Sequence, residues 1–184
     1  TLKSDTIFFK QPCFNFRKVT LILQITNQRT IFSGLAIISF SAIGFALYLE
    51  KEMGLLPCPL CMTQRGLIFL IGFIAFFASL HNPQGWVMKS YWTICAILSL
   101  LGASVAARHI WLQNLPEDLV PACGPSLEYM LETLPFSETL QIILMGDGNC
   151  AEIVWTFAGF TIPEQTLGLF LLLGLICIWQ LLRK

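Results

Sequence analysis

Four long runs in this chain contain no charged residue, and they limit its fold more than any other feature. Ile31 to Leu49 holds nineteen such residues, Ser90 to Ala107 eighteen and Gln165 to Leu182 another eighteen. Gly66 to Leu80 is also uncharged and reaches spanning length once the residues around Leu60 to Arg65 join it. A membrane-crossing helix needs roughly 20 apolar residues. Helices buried in a water-soluble protein would need polar faces, which these runs lack. Composition agrees: of 184 residues, 55% are hydrophobic and only 12% charged, about half the charged share that a soluble domain carries. The outer surface must therefore meet something other than water. The formal net charge of zero gives no sign of a nucleic-acid partner.

The expectation is an all-α membrane protein, a four-helix transmembrane bundle with helices at about 31–49, 60–80, 90–107 and 165–182. Residues 1–30 form a basic segment, and residues 31–184 form the membrane domain. The first run is expected to be a retained helix, because its apolar core is too long and FALYLEKEM lacks a small-x-small cleavage site. Lys3, Lys10, Arg17, Lys18 and Arg29 precede the first helix, Lys89 lies between the second and third, and Arg183 and Lys184 follow the fourth. That places eight basic residues on one side against Lys51, Arg65 and Arg108 on the other. The positive-inside rule then puts both termini in the cytoplasm and the loops at about 50–59 and 108–164 on the far side.

Four of the seven cysteines fall in those two loops. Cys58 and Cys61 lie in PCPLCMTQR at the start of the second helix; Cys123 and Cys150 lie in the long second loop. Cys95 and Cys177 sit inside helices, where they read as small apolar fillers, and Cys13 is expected to be a free thiol in the cytoplasmic segment. The four external cysteines admit three chemistries: an inert structural staple, a zinc site or a redox relay. One Cys-x-x-Cys followed by two isolated cysteines is a poor match to paired zinc knuckles, which repeat the short spacing, so no metal is expected.

The surroundings of the first pair favour the relay over the staple. Pro59 suits the first position of a helix, which makes Cys58 the cap and puts Cys61 in the first turn, where unpaired N–H groups favour negative charge. Arg65 follows Cys61 by four residues and shares its helical face. A helix start and a nearby cation are features that make a thiol reactive. Arg65 is either an interfacial charge or a contact for a membrane-soluble ligand. His109, beside Arg108 at the expected junction of the third helix with the loop, is either structural or a hydrogen-bond donor to a bound carbonyl. In the second loop, Ser137 to Met145 fits a short helix, either on the membrane surface or in a buried loop turn.

Taken together, PCPLCMTQR after a first helix, ARH ending a third, Cys123 in a Pro-rich loop and GDGNCAEIVWTFAGFTIPEQTLGLF leading into a fourth helix resemble the DsbB family. That resemblance, over roughly Ile31 to Leu182, implies an inner-membrane oxidoreductase that reoxidises a periplasmic DsbA-like thioredoxin-fold oxidase and reduces ubiquinone or menaquinone. It implies a Cys123–Cys150 disulfide attacked at Cys123, transfer to Cys58 and Cys61 through a Cys58–Cys150 intermediate, and Cys61, Arg65 and His109 beside the quinone. Two departures stand out. Gln64 occupies a position where some members carry an acid, and the basic start is longer than the family's usual lead-in. A vitamin-K-epoxide-reductase-like protein would carry its Cys-x-x-Cys late in the chain, the reverse of the order here. A non-enzymatic stapled adaptor would have disulfides that do not exchange.

Overall fold

Each apolar run forms one helix in the computed structural model, which describes residues 28–54, 57–116, 119–121 and 148–183 and the single positions 135, 137, 138, 143, 145 and 146. These helices are α1 (Gln28–Met53), α2 (Pro59–His81), α3 (Gly85–Gln113) and α4 (Ile162–Leu182). All four are long and apolar enough to cross a membrane. A two-stranded hairpin, β1 (Thr156–Phe157) and β2 (Phe160–Thr161), leads directly into α4.

The helices outlast the charge-free runs. α3 begins five residues before the expected start and ends six after the expected end, so His109 lies inside the helix and not at its junction with the loop. The boundary was misplaced because charges mark where the hydrocarbon stops, whereas backbone hydrogen bonding carries a helix on into the polar interface. At 1.5 Å per residue, α3's 29 residues reach roughly 43 Å, well past a hydrocarbon core of about 30 Å. α2 begins at Pro59, as its sequence implies, and closes at Asn82 in the left-handed conformation (φ 46°). α4 begins earlier than expected, at a capping box: the Thr161 backbone N–H donates to the Glu164 carboxylate, and the Thr161 side chain accepts from the Glu164 backbone N–H in return.

Connections at alternate ends, short between α1 and α2 and between α2 and α3 and long between α3 and α4, make the chain run up and down, with α1 against α2, α2 against α3 and α3 against α4. Phe32 stacks on Trp92 with ring centroids 3.9 Å apart. At the same end the Gln28 side chain accepts from the Trp92 indole and donates to Gln180, joining α1, α3 and α4. Small residues admit close approach: a Cβ on Gly102 would lie 2.2 Å from the Phe170 ring, and one on Gly72 2.8 Å from Ser39. Such contacts drive helix association where lipid removes the hydrophobic incentive. Only 22–33% of the most apolar window of each span is buried within the protein. The outward side chains are themselves apolar, among them Phe69, Phe73, Phe76, Leu171 and Leu175. That is the signature of a bundle solvated by lipid.

The hairpin was not foreseen. Ala158 and Gly159 both have positive φ (54° and 85°), the two-residue turn whose twist suits paired strands. Of the expected short helix, Ser137, Glu138, Ile143 and Met145 are helical; the rest of that segment, like Cys13 and Cys123, lies outside the described residues.

Candidate functional site

Pro59 at the first position of α2 makes Cys58 the N-cap, in extended conformation (φ −70°, ψ 164°). Its carbonyl accepts from the N–H of Met62 at 3.1 Å, and its sulfur accepts from the N–H of Cys61 at 3.4 Å. The cap that the sequence implied is thus made by sulfur, in the place usually taken by a hydroxyl or carboxylate oxygen. Cys58 is buried and Cys61 half-buried, and the two are separate thiols.

α3 brings His109 to the same point from 51 residues away. Its Nε2 lies 3.8 Å from Cys58 Sγ. The imidazole is 2% exposed, and its other nitrogen, Nδ1, lies 3.1 Å from Gln64 Nε2. Gln64, equally buried, uses its Oε1 to accept from the Thr166 hydroxyl of α4. A continuous polar chain Thr166–Gln64–His109–Cys58 therefore links three helices, with every member partnered, as burial requires. Gln64 and Thr166 are functional candidates that sequence reasoning missed. A buried amide in an apolar helix was the available signal for Gln64; nothing in the sequence marked Thr166.

Cys150 ends a short 3-10 turn, Gly148–Cys150. It is fully buried in one apolar cluster with Cys58, Leu60, Val105 and Leu112. Gly146, at φ 76°, seats this loop: a side chain there would lie 2.4 Å from Leu112. Arg108 holds the loop as well, donating to the Met145 carbonyl at 3.3 Å while lying over the Trp111 ring.

Arg65 points the other way. It pairs with Glu50 of α1 and makes a long contact with the Ala46 carbonyl at 3.4 Å. It lines a groove of about 100 Å³ between α1, α2 and α4, whose wall is largely aliphatic (Ala42, Ile43, Leu49 and Leu169) with Glu50, Cys61, Gln64, Arg65 and Thr166 as polar points. A second, smaller cavity of about 30 Å³ lies on the loop side, bounded by Cys58, Cys61, His109, Asn149 and Glu152. Cys61 stands in the wall of both, whereas Cys58 and His109 line only the second. His109, which the family resemblance sets beside the same ligand as Arg65, faces Cys58 and lines the loop-side cavity.

Of the residues singled out from sequence, Cys58, Cys61, Cys150, His109 and Arg65 converge at one end of the bundle; Cys123 is outside the described residues. Cys95 and Cys177 lie elsewhere, fully buried in the core of the bundle. They fill space, as expected.

The Arg65–Glu50 pair makes a prediction. Arg65→Ala or Glu50→Gln alone is expected to lower the stability of the detergent-solubilised protein by about 1 kcal/mol, since the pair is only partly shielded from solvent. The double variant should lose little more than either single one, because the second change removes a charge already left without its partner. Fully additive losses in thermal unfolding would show that the pair is not coupled.

Residues 28–180 match the family described as "Disulfide bond formation protein DsbB". Three proteins named Disulfide bond formation protein B show how much of the chain the likeness covers. The one from Acinetobacter baumannii is 47% identical over 158 residues, 85% of this chain and 92% of its own length. That from Saccharophagus degradans is 48% identical over 139 residues, covering 76% and 84%. The Stutzerimonas stutzeri protein is 41% identical over 162 residues, covering 88% and 99%. With four membrane-length helices, a capping Cys-x-x-Cys and likeness along nearly the whole described bundle, the chain belongs to the DsbB family of disulfide bond formation proteins.

Proposed function

We propose that this chain is a protein-dithiol:quinone oxidoreductase of the bacterial inner membrane, with both termini cytoplasmic. It reoxidises a DsbA-like thioredoxin-fold oxidase in the periplasm and passes the electrons to ubiquinone or menaquinone. The observation that carries this reading is the position of Cys61, which borders both the loop-side cavity and the groove between the membrane helices. A sulfur so placed is in reach of aqueous thiol chemistry on one side and of a lipid-soluble acceptor on the other.

The groove suits a flat, uncharged ring: mostly aliphatic walls with a few convergent polar groups are the usual make-up of a small-molecule site. Gln64 is committed to His109 and Thr166. Arg65 has five N–H donors, of which Glu50 and Ala46 engage two, so it is the groove residue with donors left for a carbonyl oxygen. Fixed positive charge aimed at an oxygen that gains electrons is the general logic of anion stabilisation. A quinone bound there supplies a two-electron, two-proton sink.

The protein's own residues then divide the exchange. A thiolate of the soluble partner attacks a Cys123–Cys150 disulfide at Cys123, forming the mixed disulfide and releasing Cys150 as thiolate. The partner's second thiol then resolves the mixed disulfide and leaves oxidised. Cys150, packed in the same buried cluster as Cys58, attacks Cys58 of a Cys58–Cys61 disulfide. Cys61 leaves with the electron pair, facing the groove in the first turn of α2, where helix N–H groups favour negative charge. Cys123, left as a thiol when the partner departs, then attacks Cys150 of the Cys58–Cys150 disulfide, which restores Cys123–Cys150 and leaves Cys58 and Cys61 as the dithiol whose two electrons and two protons a bound quinone would take. Exchange of this kind needs an accessible sulfur and a good leaving thiol.

The test is purified full-length protein with a reduced thioredoxin-fold dithiol partner and a short-chain ubiquinone, following quinol formation by absorbance. Quinone-dependent oxidation of the partner is expected, and Cys123→Ser should abolish it by removing the sulfur first attacked. Oxidation that proceeds equally without quinone, or turnover by Cys123→Ser at the normal rate, ends this reading.

A further inference from the structure

We propose that, when Cys58 and Cys61 are both reduced, they and His109 form a binding site for a thiophilic d¹⁰ metal ion of the Zn²⁺ class, and that occupancy withdraws both sulfurs from exchange. The site does not depend on the quinone reading; it needs only the two thiols in the dithiol state.

The ligand atoms are already gathered. Cys58 Sγ, Cys61 Sγ and a ring nitrogen of His109 all lie within 4.8 Å of one another. Tetrahedral zinc with bonds of about 2.3 Å to sulfur and 2.0 Å to nitrogen puts its ligand atoms about 3.5–3.8 Å apart. Cys58 Sγ and His109 Nε2 stand 3.8 Å apart, so closure around an ion needs shifts of a few tenths of an ångström for that pair. Cys-x-x-Cys spacing alone supplies two ligands. The third comes from another helix, which is why the linear sequence pointed away from zinc.

The imidazole also has the support that a metal-bound histidine needs. To ligate through Nε2, His109 must carry its proton on Nδ1 and donate it to an acceptor. A half-turn of the Gln64 amide places its oxygen where its nitrogen stands, 3.1 Å from Nδ1. The amide nitrogen then donates to Thr166 Oγ1, whose hydroxyl donates to the Pro163 carbonyl 3.0 Å away. The same atoms thus satisfy every buried group in either protonation pattern. In one, His109 donates to the Cys58 sulfur; in the other, its Nε2 lone pair faces a cation.

An entry path exists as well. All three ligands border the loop-side cavity, whose wall includes the exposed residues Asn149 and Glu152. The Glu152 carboxylate attracts a cation there, and the cavity leaves room for water as the fourth ligand. Binding releases the two thiol protons and involves no change of oxidation state.

The experiment uses the detergent-solubilised full chain carrying Cys13→Ser, Cys123→Ser and Cys150→Ser, reduced and then freed of reductant. Cd²⁺ titration should give thiolate-to-cadmium charge-transfer absorbance saturating at one ion per chain, displaced by Zn²⁺ and absent after Cys58 and Cys61 are oxidised to a disulfide. Cys58→Ser or Cys61→Ser should remove it. His109→Ala and Gln64→Leu should each weaken binding about 10–100-fold, while Gln64→Glu, which still accepts the Nδ1 proton, should keep or tighten it. Unchanged helicity and melting of each variant separate loss of ligation from loss of fold. The proposal is overturned if the reduced protein shows no band, if the band survives Cys58→Ser or Cys61→Ser and so belongs to Cys95 and Cys177, or if His109→Ala binds as tightly as the parent.

Discussion

Cys61→Ser is expected to oxidise a single equivalent of reduced partner and then stop, with steady-state quinone reduction reduced by at least about 10³-fold. In the proposed exchange, a Cys123–Cys150 disulfide can still be spent once. Without Cys61 there is no second disulfide for Cys150 to attack and no sulfur in the groove wall, where Cys61 alone among the described cysteines borders both cavities. Serine is nearly the same size and can hold the same place in the first turn of α2, so the helix and its cap at Cys58 should persist. The check is a time course of partner thiols against protein concentration: a burst of one equivalent followed by a flat line. Repeated turnover would mean that electrons reach the quinone without passing through Cys61, and the division of roles proposed here would fall.

The second large effect is expected at His109, in a different step from the one its sequence position suggested. His109→Ala should slow transfer from Cys150 to Cys58 by about 10²-fold, the usual scale for a positioned proton donor or acceptor, and leave the apparent KM for quinone unchanged. The imidazole faces Cys58 at 3.8 Å and borders only the loop-side cavity. It can therefore exchange a proton or a hydrogen bond with the sulfur that is attacked, but it has no surface in the groove. Rapid acid quench followed by gel separation should reveal accumulation of the species reduced at Cys150 and still oxidised at Cys58. His109→Gln, which keeps a donor and most of the volume, should recover part of the rate, whereas a purely structural loss would not be rescued this way. A rise in quinone KM with normal internal transfer would return His109 to the groove.

These two residues show what kind of information the chain carried in linear form. The Cys-x-x-Cys, the proline at the helix start and the arginine one turn on are local, and local geometry follows from short-range rules: Pro59 sets the helix start, and the helix start sets the cap at Cys58. For His109 the sequence left a structural role and a hydrogen bond to a bound carbonyl open, and only the family resemblance set it beside the quinone with Arg65. Its partner is 51 residues away on another helix. Gln64 meets Thr166 across 102 residues, and Arg65 meets Glu50 across fifteen and a loop. No spacing rule links such pairs.

From the sequence alone came the four spans, their order and the placing of a Cys-x-x-Cys pair at the start of the second span. A bilayer imposes a minimum length and excludes charge, and both constraints are visible residue by residue. Which face each helix turns inward depends on the rotation and sliding of one helix against another. Close contacts such as Gly102 with Phe170 and Gly72 with Ser39 set those quantities. The tertiary structure alone therefore decided that Cys61 borders two cavities, that His109 faces Cys58, and that a buried amide joins three helices behind it.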